Sequence, residues 1–319
     1  MTRIAPTPRD VVLCDGAARL LRFRGPTQAG HAPVLLVPSL INRWYVLDLC
    51  PGVSVVEALT AAGLDVYLLD WGVPGDEDRH LEWDEIVARL HRMVRRVGPR
   101  IGLLGYCLGG TLAAIEAALE PERIVALVNL AGPIDFSEGG RLTLMTDPRW
   151  FDAEAIAEAG NVSAAQLQSG FVALRPTREL AKLVMWLDKL GDQAALERAD
   201  ALERWARDNV AFPAAAYARY VRALYQENEL VRGEHRIFGS RVDLHAIEAP
   251  VLTVVASEDA ICPPRAASAL HAFVRASRLL QIPGGHVGAV VGSRAARELY
   301  PTLVSWLSEH SSITPPSPP

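Results

Sequence analysis

A short apolar run, Ile101-Gly-Leu-Leu-Gly-Tyr106, breaks off at Cys107-Leu-Gly-Gly-Thr and continues as an Ala-rich helical pattern to about Glu120. A chain passes from strand to helix in so few residues only through a tight turn, and that turn constrains everything around it. Its core is Gly105-x-Cys107-x-Gly109, the nucleophile-elbow pattern with Cys in the central position. The central residue of such a turn is held in a strained backbone conformation, so its flanking positions must lack bulk. The turn lifts the Cys107 side chain above the end of the strand and sets it at a helix N-terminus, where the dipole and free N–H groups favour a thiolate. The N–H of Leu108 is then free to bind an oxyanion. Taken alone, this stretch would also fit a buried cysteine in an ordinary strand–turn–helix.

Two later stretches weigh against that bland reading. Pro250-Val-Leu-Thr-Val-Val-Ala-Ser-Glu-Asp259 reads as an apolar strand ending in an acid, and Gln281-Ile-Pro-Gly-Gly-His286-Val-Gly sets a histidine among glycines near the C-terminus. Nucleophile, acid and histidine in that order is the chain order of the α/β-hydrolase fold. Cys107 would attack an acyl carbon, His286 would take the thiol proton and later hand a proton on, and Asp259 would orient His286. The second oxyanion donor is expected after the first apolar strand, at Leu40, with Ile41 a near alternative. As structural residues, Asp259 would be a helix cap or turn acid and His286 a turn histidine. Asp70 and Asp135 also end strands, and Asp135 is the reserve candidate for the acid.

The rest of the chain fits a mostly parallel central sheet flanked by helices. Val11-Val-Leu-Cys14 and Arg19-Leu-Leu-Arg-Phe-Arg read as an antiparallel pair at a sheet edge, and Pro33–Pro38, Leu64–Asp70 and Ile124–Ala131 as further strands. The pattern predicts helices over 54–62 and 81–97, the second with apolar positions at Ile86, Val87, Leu90, Met93, Val94 and Val97. Strand and helix alternate up to Asp135, which argues for right-handed crossovers. From 136 to 238 the alternation stops. That segment reads as an inserted helical cap rich in large side chains: Trp150, Trp186, Trp205, Tyr217, Tyr220 and Tyr225, with Phe151, Phe171, Met145 and Met185. Such a stripe is expected to be core packing before it is a ligand groove. The alternation returns at Val242, with a helix over 266–276, the strand Ser277–Ile282 and a final helix to about Glu309. The expected organisation is a core of residues 1–135 and 239–310, a cap of 136–238, and a disordered Ser/Pro-rich tail over 311–319.

Composition narrows the function classes. The chain has 319 residues, half of them hydrophobic, and a net charge of −5, which makes a nucleic-acid partner unexpected. Its cysteines, Cys14, Cys50, Cys107 and Cys262, have no metal-ligand spacing. With no signal-peptide pattern at Met1–Asp10, they suggest a reducing, cytoplasmic setting. No apolar run reaches the roughly 18 residues of a membrane span, and no metal or dinucleotide motif occurs. A cysteine nucleophile also selects substrates. A thiolate attacking a thioester exchanges one thioester for another at nearly equal energy, so the acyl group can wait on the enzyme for an acceptor.

The chain resembles the catalytic subunit of polyhydroxyalkanoate synthases, most closely the short class that works with a second subunit. The resemblance rests on Leu40-Ile-Asn-Arg-Trp-Tyr-Val-Leu-Asp-Leu, Leu64-Asp-Val-Tyr-Leu-Leu-Asp-Trp-Gly, Gly105-Tyr-Cys-Leu-Gly-Gly, Tyr225-Gln-Glu-Asn-Glu-Leu-Val-Arg-Gly-Glu, Arg241-Val-Asp-Leu-His-Ala-Ile, Ser257-Glu-Asp-Ala-Ile-Cys-Pro-Pro and Gly284-Gly-His-Val-Gly. It implies a 3-hydroxyacyl-CoA substrate, a growing chain held as a thioester on Cys107, release of CoA, and no cofactor beyond that substrate. It also implies a second synthase subunit as partner, leaves a homodimer open, and places the protein in the cytoplasm at the surface of polyester granules. The family's acid is further implied to activate the 3-hydroxyl for chain extension. Ala260 departs from the family pattern, which has His directly after the catalytic Asp. The competing readings are a thioesterase or esterase on the same fold and a non-catalytic granule or scaffold protein. Dienelactone hydrolases share a cysteine elbow but lack the long cap and the Leu40–Leu49 stretch.

Overall fold

The computed structural model describes residues 3–28, 30–174 and 192–312, without the side chains of Phe171 and Leu174. Met185, Trp186 and residues 313–319 of the expected tail lie outside the described residues. The central sheet has eight strands: β1 Arg9–Asp15, β2 Ala18–Phe23, β3 Val34–Val37, β4 Val66–Asp70, β5 Ile101–Tyr106, β6 Ile124–Leu130, β7 Val251–Ala256 and β8 Ser277–Ile282. Their order across the sheet is β1-β2-β4-β3-β5-β6-β7-β8. β2 runs antiparallel to both its neighbours, and every other pairing is parallel. The expected edge hairpin and mostly parallel sheet are therefore present.

Alternate side chains of one strand enter opposite cores, as the two-residue period of a strand requires. In β3, Leu35 and Val37 join one cluster, while Val34 and Leu36 join the other. The first cluster is covered by α2 (Trp83–Val97) and α3 (Leu108–Leu119), the second by α1 (Val55–Ala61) and the C-terminal helix Tyr300–His310. A sheet buried on both faces needs the unbroken apolar strands seen at β3, β5 and β7. Ser54 caps α1 by accepting from Glu57 N at 2.8 Å. The helix expected over 266–276 is shorter, Pro264–Ser268, followed by a tight turn over Ala269–Ala272.

Between β6 and β7 the described residues are mainly short helices, with a two-stranded hairpin of Arg236–Ile237 and Ser240–Arg241 and no strand of the central sheet. Helix α4 (Ala153–Glu158) packs on α7 (Ala214–Tyr220), and α7 packs on α2; α5 (Ala164–Leu174) and α6 (Gln193–Arg207) lie between them in the chain. Trp205 and Tyr220 are buried in the two cores, as core packing predicts, but Trp150 is 60% exposed. Ser311 and Ser312, expected in the tail, are instead part of the fold. Ala32 N donates to Ser311 O at 2.7 Å and Ser312 bridges His31, so the backbone groups of Ser311 and Ser312 are tied to the strand entry.

A buried polar network joins the insertion to α2. Trp83 Nε1 donates to His235 Nε2 at 3.1 Å, His235 Nδ1 meets Glu229 Oε2 at 2.9 Å, and Arg219 donates to both Glu229 oxygens at 3.0 and 2.8 Å. Removing one partner of such a network leaves buried groups unpaired. Glu229→Ala is expected to lower the unfolding free energy by about 3 kcal/mol. Urea denaturation checks this, and a loss below about 1 kcal/mol would show that the network is not structural.

Candidate active site

Cys107 stands between β5 and α3 with φ +56° and ψ −131°, in the left-handed region that side chains avoid. The turn is held from both sides: Cys107 N donates to Leu130 O at 3.0 Å, and Gly110 N donates to Cys107 O at 2.7 Å. A Cβ at Gly109 would lie 1.9 Å from Val37 O, and one at Gly105 would lie 2.2 Å from Gly109 O. These contacts are why the elbow needs glycine at both flanks.

Asp259 follows β7, and His286 follows β8. His286 Nδ1 donates to Asp259 Oδ2 at 2.7 Å, with both side chains buried. Asp259 Oδ1 accepts from the backbone N–H of Ile261 at 2.8 Å and of Cys262 at 2.9 Å, so the carboxylate is fixed at both oxygens. The turn thus forms with Ala260 in place of the family's His. Asp135 is held elsewhere: it accepts from Asn228 Nδ2 and from Ser137, away from His286. Asp70 accepts from Gly72 N. Of the acids weighed from the sequence, the structure brings Asp259 to His286.

His286 Nε2 is buried without a full hydrogen bond. Burial alone would depress the ring's pKa. The nearby Cys107 sulfur and the hydrogen bond to Asp259 outweigh it and push the pKa up to about 10. Tyr106, the residue before the nucleophile, stacks on His286 at 5.2 Å between ring centroids and 27° between planes. The sequence reading did not single it out; its place in the elbow is the only local signal, because the contact is made by folding. Burial raises the pKa values of both Tyr220 and Tyr225, and Cys107 lies near enough to both to add to the rise.

At the two oxyanion candidates, neither Leu108 N–H nor Leu40 N–H has an acceptor among the described residues, and both residues are buried. Ile41 N–H instead turns to Ser39 Oγ at 3.3 Å, which favours Leu40 of the two alternatives. No cluster of metal-ligating side chains occurs among the described residues.

Comparison with known proteins agrees with this architecture. A family model of the α/β hydrolase fold matches residues 32–292, and one of the poly-beta-hydroxybutyrate polymerase (PhaC) N-terminus matches residues 2–59. The poly(3-hydroxyalkanoate) polymerase subunit PhaC of Synechocystis sp. is 32% identical, covering 95% of this chain and 85% of its own. The chain belongs to the poly(3-hydroxyalkanoate) polymerase family. The subunit PhaC of Haloferax mediterranei is 34% identical across 97% of this chain, which spans 65% of that relative's length. Among solved structures, a monoacylglycerol lipase of Paleococcus ferrophilus superposes with a TM-score of 0.62 at 18% identity, covering 92% of this chain and 99% of its own. The thioesterase domain from the curacin biosynthetic pathway gives 0.56 at 14%, covering 95% and 99%. At these identities the two structures show the α/β-hydrolase fold alone. The polymerase family and the fold expected from the sequence are thus both found.

The raised pKa of His286 sets a pH dependence. The folded value lies above the ordinary value of 6.5, so the charged ring contributes stability that is full below about 6.5 and is lost as pH rises through about 10. The difference in melting temperature between the unsubstituted protein and His286→Ala should therefore shrink as pH rises from about 6.5 through about 10. A difference that does not change with pH would overturn the pairing.

Proposed function

We propose that this chain is the catalytic subunit of a two-subunit polymerase that converts 3-hydroxyacyl-CoA into polyhydroxyalkanoate through Cys107, His286 and Asp259. The observation that supports it most is the buried His286–Asp259 contact, with the free Nε2 edge turned to a nucleophile on a strained elbow. The Cys107 thiolate attacks the acyl carbon, and the oxyanion takes hydrogen bonds from the N–H groups of Leu108 and Leu40. The carbon–sulfur bond to CoA then breaks, and His286 supplies the proton to the departing CoA thiolate. The acyl group remains on Cys107. In extension, the hydroxyl of one unit attacks the thioester of another, giving an ester and freeing a thiol.

The hydroxyl proton goes to His286 in this reading. Asp259 is fully buried at its side chain and has both oxygens engaged, so it acts through the imidazole and not on the hydroxyl directly. Acyl-CoA is the substrate and no further cofactor is needed. The insertion of residues 136–238 serves as the cap, since its Tyr220 and Tyr225 lie close to Cys107. The partners are a second synthase subunit and the surface of the polymer granule. No helix among the described residues is long and apolar enough to cross a membrane.

The test is incubation with 3-hydroxybutyryl-CoA, with and without the second subunit, measuring CoA release and polymer separately. Cys107→Ala should abolish both, and His286→Ala should slow CoA release by roughly 10²–10⁴-fold. CoA release with free hydroxy acid and no polymer would make the protein a thioesterase. Near-normal CoA release by Cys107→Ala would remove the mechanism altogether.

A further inference from the structure

An open groove of about 470 Å³ lies at the sheet edge away from the Asp259–His286 contact, lined by Arg3, Arg9, Arg19, Arg43, Trp44 and Tyr45. Four guanidinium groups share it with one carboxylate, Asp70, in a protein whose net charge is −5. Among the described residues Arg3 and Arg19 have no ion-pair or hydrogen-bond partner, and Asp70 is engaged by Gly72 N. Arg43 Nε is buried with nothing among the described residues to accept its proton. Arg9 lies over the Trp44 ring at 4.6 Å, so its exposed planar guanidinium is a platform on which a flat base can stack.

We propose that this groove binds the phosphorylated nucleotide end of the CoA thioester, holding it while the acyl end reaches Cys107. The inference rests on the acyl-CoA reading above and adds a site to it. Its volume falls in the range of small-molecule sites, roughly 300–1,000 Å³. Arginine forks suit phosphate oxygens; Arg3 and Arg19 are without partners among the described residues, and Arg9, which donates to Ala5 O and Thr7 O, has further donors to offer. The placement also fits. Asp70 ends β4, two strands from the β5 that leads into Cys107, and Arg19 pairs with Asp70 from β2, three strands away. At ~4.8 Å per strand, the Asp70 and Arg19 end of the groove lies roughly 10–15 Å from Cys107 at the same end of the sheet, while Arg9, paired with Phe23, lies further off at the other end of the strands. The pantetheine arm is comparable to about four residues of extended chain, roughly 14 Å. Apart from Asp70, every residue lining the groove falls within 2–59, the part matched by the polymerase N-terminus, and those from Arg3 to Leu21 lie before the general hydrolase match, which begins at residue 32. That favours a ligand particular to this family over one common to the fold.

The test is calorimetric binding of CoA and of adenosine 3′,5′-bisphosphate to the full chain and to Arg19→Gln and Arg43→Gln. Arg22→Gln, at a surface arginine paired with Asp65, is the control. Each groove variant should weaken binding of both probes about tenfold, the loss of one charge-assisted contact, with the melting temperature unchanged. The KM for 3-hydroxybutyryl-CoA should rise by a similar factor at constant kcat. Turnover of the N-acetylcysteamine thioester of the same acyl group, which lacks the nucleotide, should not change. CoA binding that ignores both arginines overturns the proposal. So does a result in which the variants impair only assembly with the second subunit, which would make the groove a protein-docking surface. Arginine-dependent CoA binding without acyl transfer would instead overturn the catalytic reading and leave the groove standing.

Discussion

The close approach of β5 and α3 is the constraint on which the rest depends. It forces Cys107 to a positive φ, which costs about 1–3 kcal/mol. That strain persists because α3 is over-determined by packing. Nearly every residue from Leu108 to Ala118 is buried, and Ala113, Ala114 and Ala117 allow neighbouring elements to approach closely. An Ala-rich helix with no polar face, following a glycine turn, is the sequence of a helix buried on all sides. The same packing that tolerates the strained residue also delivers its sulfur and the Leu108 N–H to one point.

At that point two electrostatic effects oppose each other. Burial works against a charged imidazole, while the nearby Cys107 sulfur and the Asp259 carboxylate favour it. The balance falls to the charged form because Asp259 is itself prepared: two backbone N–H groups hold one oxygen and leave the other for His286. Tyr106 adds an aromatic face against the ring. A cation over an aromatic face gains further stabilisation in a dry site. The elbow therefore supplies both Cys107 and, one residue earlier, an aromatic wall for His286.

Much of this was legible in the chain. The apolar runs that became β3 to β8, the capped α1 and the amphipathic α2 are local patterns with local causes. The elbow, the acid and the histidine were legible because each sits at the end of an apolar run, where a parallel sheet collects its polar groups. What escaped the sequence depends on distant parts of the chain meeting. Trp83, His235, Glu229 and Arg219 carry no spacing signal, and neither do Arg3, Arg9, Arg19 and Arg43. Their relation appears only once strand order is known. Ser311 and Ser312 were placed in a tail on composition, but two backbone contacts to residues near β3 decided otherwise.

The segment after β3 carries two duties at once. Leu40 is buried and its N–H has no acceptor among the described residues, and the residues that follow hold the insertion. Ile41 O accepts from Val210 N at 3.0 Å, Arg43 O accepts from Trp205 Nε1 at 2.8 Å, and Tyr45 OH donates to Asp208 at 2.7 Å. Asn42 bonds Asn209 as well. All four contacts meet one short stretch of the insertion, from Trp205 to Val210, at the end of α6. That stretch cannot shift against the sheet without either breaking these bonds or carrying the Leu40–Tyr45 segment with it. The first course exposes polar groups that must find new partners. The second moves the Leu40 N–H and the Arg43 side of the arginine groove together. The geometry of the Trp205–Val210 stretch and that of the Leu40–Tyr45 segment are thus one mechanical unit, in a segment the sequence marks only by its resemblance to the polymerase family.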